Sequence, residues 1–222
     1  MIKKLVIFDF DGVIYDSEPL HLKAFNAALT SIKKEITRSI YYEEYCSFDD
    51  KGVFTTLLKK ERIDFNDGLI NKLIESKHRY FDKYHDSETS IYPGVLDLIS
   101  RLSKKYILAI GSGARRLEIV RILNKENIIS HFETIVSSDE TNYPKPNPET
   151  FIQVLDRINE TYQVDSNESV VVEDTPKGII AAKSSGMKCI GITNALDSVH
   201  LSDADTVVKT YEEIDQNLIN SL

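Results

Sequence analysis

At 222 residues, 41% hydrophobic and 28% charged, the chain has the composition of a folded globular protein, either one large domain or a core plus a smaller one. A formal net charge of −8 argues against nucleic acid or an anionic membrane surface as the main partner, while leaving room for a local cationic pocket that takes small anions. Two cysteines, Cys46 and Cys189, are too few for a disulfide scaffold and are expected as reduced thiols of a cytoplasmic protein; no apolar run approaches membrane-spanning length.

In chain order, the first informative stretch is Leu5 to Asp16. Leu5, Val6, Ile7 and Phe8 form a short unbroken apolar run, which suits a strand buried on both faces of a parallel sheet. The run ends in Asp9-Phe10-Asp11-Gly12, and extended geometry through these residues would send both aspartates the same way. Two acids so close ask for a cation, a shared proton or both. An Asp-rich turn is the plain alternative. A calcium loop is not supported, because its twelfth position, counted from Asp9, is Leu20 rather than Glu.

Between Asp16 and Ile91 no strand is evident. Ser17 and Pro19 mark a helix start, followed by Leu22, Phe25, Leu29 and Ile32 at helical spacing. Tyr41 to Asp50 reads as mixed and polar, Val53 to Leu58 as a second helix, and Leu69 to Tyr84 as a longer third. Beyond Tyr92-Pro93-Gly94 the texture changes to alternating helices and strands. Helices are expected on Val95-Leu98-Ile99-Leu102, on Leu117-Val120-Leu123 and on Phe151-Val154-Leu155-Ile158. A fourth helix runs from Thr175-Pro176 to Gly186. Strands are expected at 106–110, 134–136, 170–172, 188–192 and 206–208. Such alternation implies an α/β protein with a mostly parallel, doubly wound sheet built from residues 1–16 and 90–222, and a helical insert at 17–89.

Four strand ends then carry polar groups: Asp9/Asp11, Ser112, the loop holding Lys145, and Glu173-Asp174. Each alone has a plain reading, as a tight turn, a solvated lysine or acids near a helix N-terminus. Their coincidence at one end of one sheet favours an active site.

In order and residue type these motifs resemble the haloacid dehalogenase-like phosphohydrolase superfamily over nearly the whole chain. Asp9-Phe10-Asp11-Gly12-Val13 is similar to its nucleophile motif, Ser112 to its phosphate-binding Ser/Thr, Lys145-Pro146-Asn147-Pro148-Glu149 to its lysine motif, and Glu173-Asp174 to its acidic motif. The insert resembles the α-helical cap of the β-phosphoglucomutase and phosphoglycolate-phosphatase branch, so the resemblance implies a Rossmann-like core with an inserted α-helical cap domain. It also implies Asp9 as nucleophile and Asp11 as general acid and base. Mg²⁺ would be held by Asp9, the Asp11 carbonyl and Asp174, with Glu173 orienting a metal-bound water. Ser112 and the N–H groups of Gly113 and Ala114 would hold the phosphoryl oxygens at a helix N-terminus, and Lys145 would neutralise charge. Tyr143-Pro144 departs from the glycine that many relatives place before the lysine. The presence of Asp11 speaks against a metal-free dehalogenase.

The expected activity is therefore Mg²⁺-dependent hydrolysis of a small phosphorylated metabolite by a monomer. A sugar phosphomutase is the alternative, and a catalytically silent binder a third reading. His21, ten residues after Asp11, matches a histidine of the mutase and of many phosphatases. Within the cap, Ser47 to Gly52 is the candidate substrate loop. Gly52 would allow unusual backbone angles, Asp49, Asp50 and Lys51 would offer polar contacts, and hinges are expected near 16–18 and 88–90. The alternative is a solvated turn.

Overall fold

In the computed structural model, which describes residues 4–46, 48–88 and 90–222, the apolar run forms β1 (Leu5–Phe8), with all four residues buried. Ser47, in the expected substrate loop, and Thr89, at the expected return hinge, lie outside the described residues. Alternation along β1 divides its side chains between two cores. Val6 and Phe8 enter one with residues of α5 (Val95–Leu102) and α6 (Arg116–Lys125), whereas Leu5 and Ile7 enter the other with residues of α7 (Glu149–Asn159) and α8 (Pro176–Ser184). A strand with helices on both faces has no reason to alternate in polarity, which is why β1 reads as a continuous apolar run.

Six strands form the main sheet in the order β5-β4-β1-β6-β7-β8, every pairing parallel. They are β1, β4 (Ile107–Gly111), β5 (Thr134–Val136), β6 (Ser169–Glu173), β7 (Lys188–Ile192) and β8 (Thr206–Val208). The sheet order doubles back at β1, so the carboxyl ends of β1, β4 and β6 lie side by side. The expected doubly wound, parallel α/β core is what the chain forms. Two short strands, β2 (Tyr15–Asp16) and β3 (Ser90–Ile91), pair with each other in a separate two-stranded sheet. A short helix, α9 (Gln216–Ser221), ends the chain.

The chain divides into two compact units, 1–16 with 91–222 and 17–90. The second is helical: α1 (Glu18–Leu29), α2 (Arg38–Ile40) running into a π turn over Tyr41–Tyr45, α3 (Asp50–Lys60) and α4 (Asp67–Glu88). Its core gathers Phe25, Leu29, Tyr41, Tyr45, Phe54, Leu58 and Leu73. Among the described residues no helix is long and apolar enough to cross a membrane.

Three local expectations are corrected. The segment read as mixed and polar is helical as far as Tyr45, because Tyr41 and Tyr45 both bury their rings and the Tyr41 hydroxyl reaches Glu18 Oε2 at 2.6 Å. The buried stripe of α6 is Ile119, Ile122 and Leu123; Leu117, in its first turn, is 77% exposed. Finally, Asp50, Lys51 and Gly52 belong to the first turn of α3 rather than to a loop. Asp49 caps that helix by accepting from the Gly52 N–H at 2.8 Å.

Candidate active site

Asp9 follows β1, and its N–H extends the ladder by donating to Val172 O at 3.0 Å. Extended geometry does not continue to Asp11. The chain turns at Phe10, whose carbonyl accepts from the N–H groups of Val13, Ile14 and Tyr15, and Gly12 closes the turn at φ +78°. The two aspartates are therefore related by a turn and not by strand alternation. Asp11 is half-buried, with its backbone bridged to Tyr15.

Lys145 crosses from its loop to the ends of three strands. Its ammonium donates to Asp9 Oδ1 at 2.7 Å, to Glu173 Oε1 at 2.6 Å and to the Gly111 carbonyl at 3.1 Å, which uses all three of its hydrogens. It also lies 4.6 Å from the ring centroid of Phe151, on α7. Burial disfavours the charged lysine, but the carboxylates of Asp9 and Glu173 outweigh it and hold its proton more tightly than usual.

Asp9, Glu173 and Asp174 are all buried, and each offers a carboxylate oxygen within 4.8 Å of the others. The side chain of Asp11 is outside this cluster. Burial raises Asp9 to about 6; Lys145 opposes that shift, Glu173 adds to it, and Ser112 works with Lys145. Two glycines make space for the acids. A Cβ on Gly12 would stand 1.9 Å from Asp174 Oδ2, and one on Gly178 would stand 1.9 Å from the Glu173 carboxyl group. Glu173 is the more committed acid: Oε1 takes the Lys145 ammonium, and Oε2 accepts from Asp174 N, Thr175 N and Thr175 Oγ1 at 3.1, 3.2 and 3.0 Å. Three close carboxylates facing one ammonium leave a negative excess, and such an all-oxygen donor set fits a hard divalent cation.

Ser112 is buried just past β4, and Gly113 beside it is exposed. The helix that follows, α6, begins at Arg116, and the Ala114 N–H donates to Ser112 Oγ at 3.2 Å. Ser112 and the N–H groups of Gly113 and Ala114 stand together in that loop as the candidate oxyanion contacts. In the helical unit, the His21 ring lies 4.4 Å from that of Phe81, and Lys51 is exposed. Asp49 and Asp50, expected to offer polar contacts, are used locally, as a helix cap and as the partner of Lys77 and His78 at 2.9 and 2.7 Å. A Cβ on Gly52 would stand 2.8 Å from the capping Asp49 oxygen, so this glycine serves the cap with helical backbone angles.

Phe151 carries no sequence signal for a place beside the ammonium, because it sits in the apolar stripe of α7 like any core residue. Asn194 and Tyr211 carry none either: they reach the turn after Asp9 from the far end of the chain.

Comparison with known proteins assigns the chain to a family. Residues 6–192 match the haloacid dehalogenase-like hydrolase model, and the chain belongs to that family. It is 29% identical over 223 residues to a phosphorylated carbohydrates phosphatase of Thermotoga maritima, covering 98% of each chain. It is 28% identical over 211 residues to a (DL)-glycerol-3-phosphatase of Arabidopsis thaliana, covering 91% of this chain and 85% of the relative. A β-phosphoglucomutase structure from Clostridium difficile has the same fold, with a TM-score of 0.75 at 22% identity over 100% of this chain and 96% of the other.

Proposed function

We propose that the protein is a Mg²⁺-dependent phosphatase of small phosphorylated metabolites, acting through an aspartyl-phosphate on Asp9. The observation that carries this reading is the bridge of Lys145 between Asp9 and Glu173, with Asp174 alongside, at the carboxyl edge of the sheet. In the first half-reaction an Asp9 carboxylate oxygen forms a bond to phosphorus as the bond to the leaving oxygen breaks, and Asp11 supplies the proton that oxygen needs. In the second, water attacks the phosphorus, Asp11 takes its proton, and phosphate leaves with Asp9 restored. Lys145 holds the Asp9 carboxylate in place and offsets negative charge on the transferring group, which Ser112 and the Gly113 N–H help to bind. Asp9, Asp174 and the Asp11 carbonyl would hold Mg²⁺, since both oxygens of Glu173 already have donors. A bound Mg²⁺ supplies charge neutralisation for the phosphoryl oxygens and for the buried acids.

The names of the two phosphatase relatives support a polyhydroxylated phosphomonoester, such as a sugar or polyol phosphate, as substrate. Phosphate release from a panel of phosphorylated sugars, polyols and nucleotides, with Mg²⁺ and with EDTA, tests this. Hydrolysis that vanishes on chelation and returns with Mg²⁺ is expected; full activity in EDTA overturns it. With β-glucose 1-phosphate and a trace of glucose 1,6-bisphosphate, free phosphate or no reaction is expected. Fast conversion to glucose 6-phosphate instead would establish the mutase.

A further inference from the structure

We propose that Asn194 and Tyr211 are positioning residues of the phosphoryl-transfer site, clamping the Gly12–Val13 backbone so that Gly12, next to Asp11, keeps its place against Asp174. The inference rests on the phosphatase reading for its kinetic consequence and on geometry for the clamp itself.

Gly12 is where the turn meets the acidic cluster. Its Cα lies so close to the Asp174 carboxylate that a Cβ would overlap it, and its N–H returns to Tyr15 O at 2.9 Å. A small rotation of the Gly12 peptide therefore moves the neighbouring Asp11 carbonyl and presses on Asp174. Asn194, two residues past β7, restrains that rotation. Its side-chain amide donates one hydrogen to the Gly12 carbonyl at 2.7 Å and the other to the Tyr211 hydroxyl at 2.6 Å. The Tyr211 hydroxyl in turn donates to the Val13 carbonyl. Both amide hydrogens and the phenol hydrogen are spent, and together they hold two successive carbonyls of the loop.

Tyr211 is 4% exposed and packs in the core beneath that loop. Burial, reinforced by the Asp174 charge and only partly opposed by Asn194, raises the phenol above its ordinary value, so it remains a donor at any working pH. A network that merely satisfied loop carbonyls could sit anywhere along the turn. This one grips the peptide that touches Asp174 and adjoins Asp11, from residues 182 and 198 positions away in sequence.

Tyr211→Phe, Asn194→Leu and the double variant test the clamp in the full chain. Hydrogen exchange reads it without any chemistry: amides of residues 12–16 should exchange about tenfold faster, the equivalent of one lost buried hydrogen bond. Mn²⁺ binding measured by calorimetry without substrate should weaken about fivefold, by the same loss of order. For a phosphomonoester, kcat should fall about tenfold with KM within about twofold, and the double variant should be little worse than the worse single one. If Tyr211→Phe fails to fold, Asn194→Leu carries the test. A folded variant whose exchange, Mn²⁺ affinity and kcat stay within about twofold of wild type overturns the proposal, even if its Tm is lower. A wild-type protein that hydrolyses no phosphomonoester overturns the phosphatase reading instead, and exchange and Mn²⁺ binding then decide the clamp alone.

Discussion

Among the described residues, each unit holds a lysine largely out of water, and the two are balanced differently. In the helical unit, the Lys77 ammonium lies 2.9 Å from Asp50 Oδ1 and 5.2 and 5.1 Å from the ring centroids of Phe25 and Phe81. The ammonium meets one carboxylate, which His78 also reaches at 2.7 Å, and the aromatic faces complete its surroundings, so the group ties α1, α3 and α4 together without crowding acids on one another. In the sheet unit, the Lys145 ammonium meets two carboxylates and one aromatic ring, with a third carboxylate close by. That excess of buried negative charge costs stability unless a cation or proton joins it. The same residue type is thus a staple in one place and part of the candidate active site in the other. What distinguishes them is how many carboxylates crowd the ammonium.

The largest effect on this contrast is expected at Asp9. Asp9→Asn keeps the shape and removes the proposed nucleophile, and turnover is expected to fall by more than about a thousandfold, measured under saturating Mg²⁺ with deamidation excluded by mass spectrometry. Lys145→Met should cost about a hundredfold or more in kcat, the scale of a lost charge-stabilising donor, measured on the same substrate. Lys77→Met reverses the pattern. It should leave kcat within about twofold while lowering unfolding free energy by about 2 kcal/mol, read from urea denaturation, because Asp50 loses its buried partner. If Lys77→Met instead abolished turnover at unchanged stability, the staple reading would be wrong.

The smallest effect is expected at Glu140, whose charge is matched on every side. Burial opposes its ionisation, but the Ser137 hydroxyl, Arg157 and the Ser137 N–H outweigh it and hold the carboxyl at about 2, below the usual 4.5. The folded state therefore binds this proton less tightly than the unfolded state. The stabilisation is fully present above about pH 4.5 and is lost as pH falls towards about 2. Glu140→Gln should lower the urea midpoint at pH 7, and the gap from wild type should close across that window.

The sheet and most of the site could be read from sequence because their signals are local. Apolar runs such as Leu5–Phe8 and Val170–Val172 mark buried strands, and polar residues directly after them mark the ligand-binding edge. Lys145 is legible through its motif, although its three acceptors lie on residues 28 to 136 positions away. Phe151 is not, because an aromatic side chain in a helical apolar stripe looks the same whether it faces a core or an ammonium. Asn194 and Tyr211 escape for a related reason: neither belongs to a pattern, and the loop they hold is defined only once the chain has folded. Asp49 to Gly52 mislead in the opposite direction as to local structure. Polar residues beside a glycine suggest a contact loop, yet here they are a helix cap and its first turn.

Gly178 sets a trap for anyone who engineers this protein. It lies inside α8, where alanine is worth about 1 kcal/mol more than glycine on helix propensity alone. A survey for stabilising substitutions would choose it early. But the methyl group would need the space of the Glu173 carboxylate, which anchors Lys145 and, through it, Asp9. Drift or design towards a better helix would meet selection for catalysis at this one residue. A relative carrying a larger residue there could keep every recognised motif and still have lost the ability to turn over substrate.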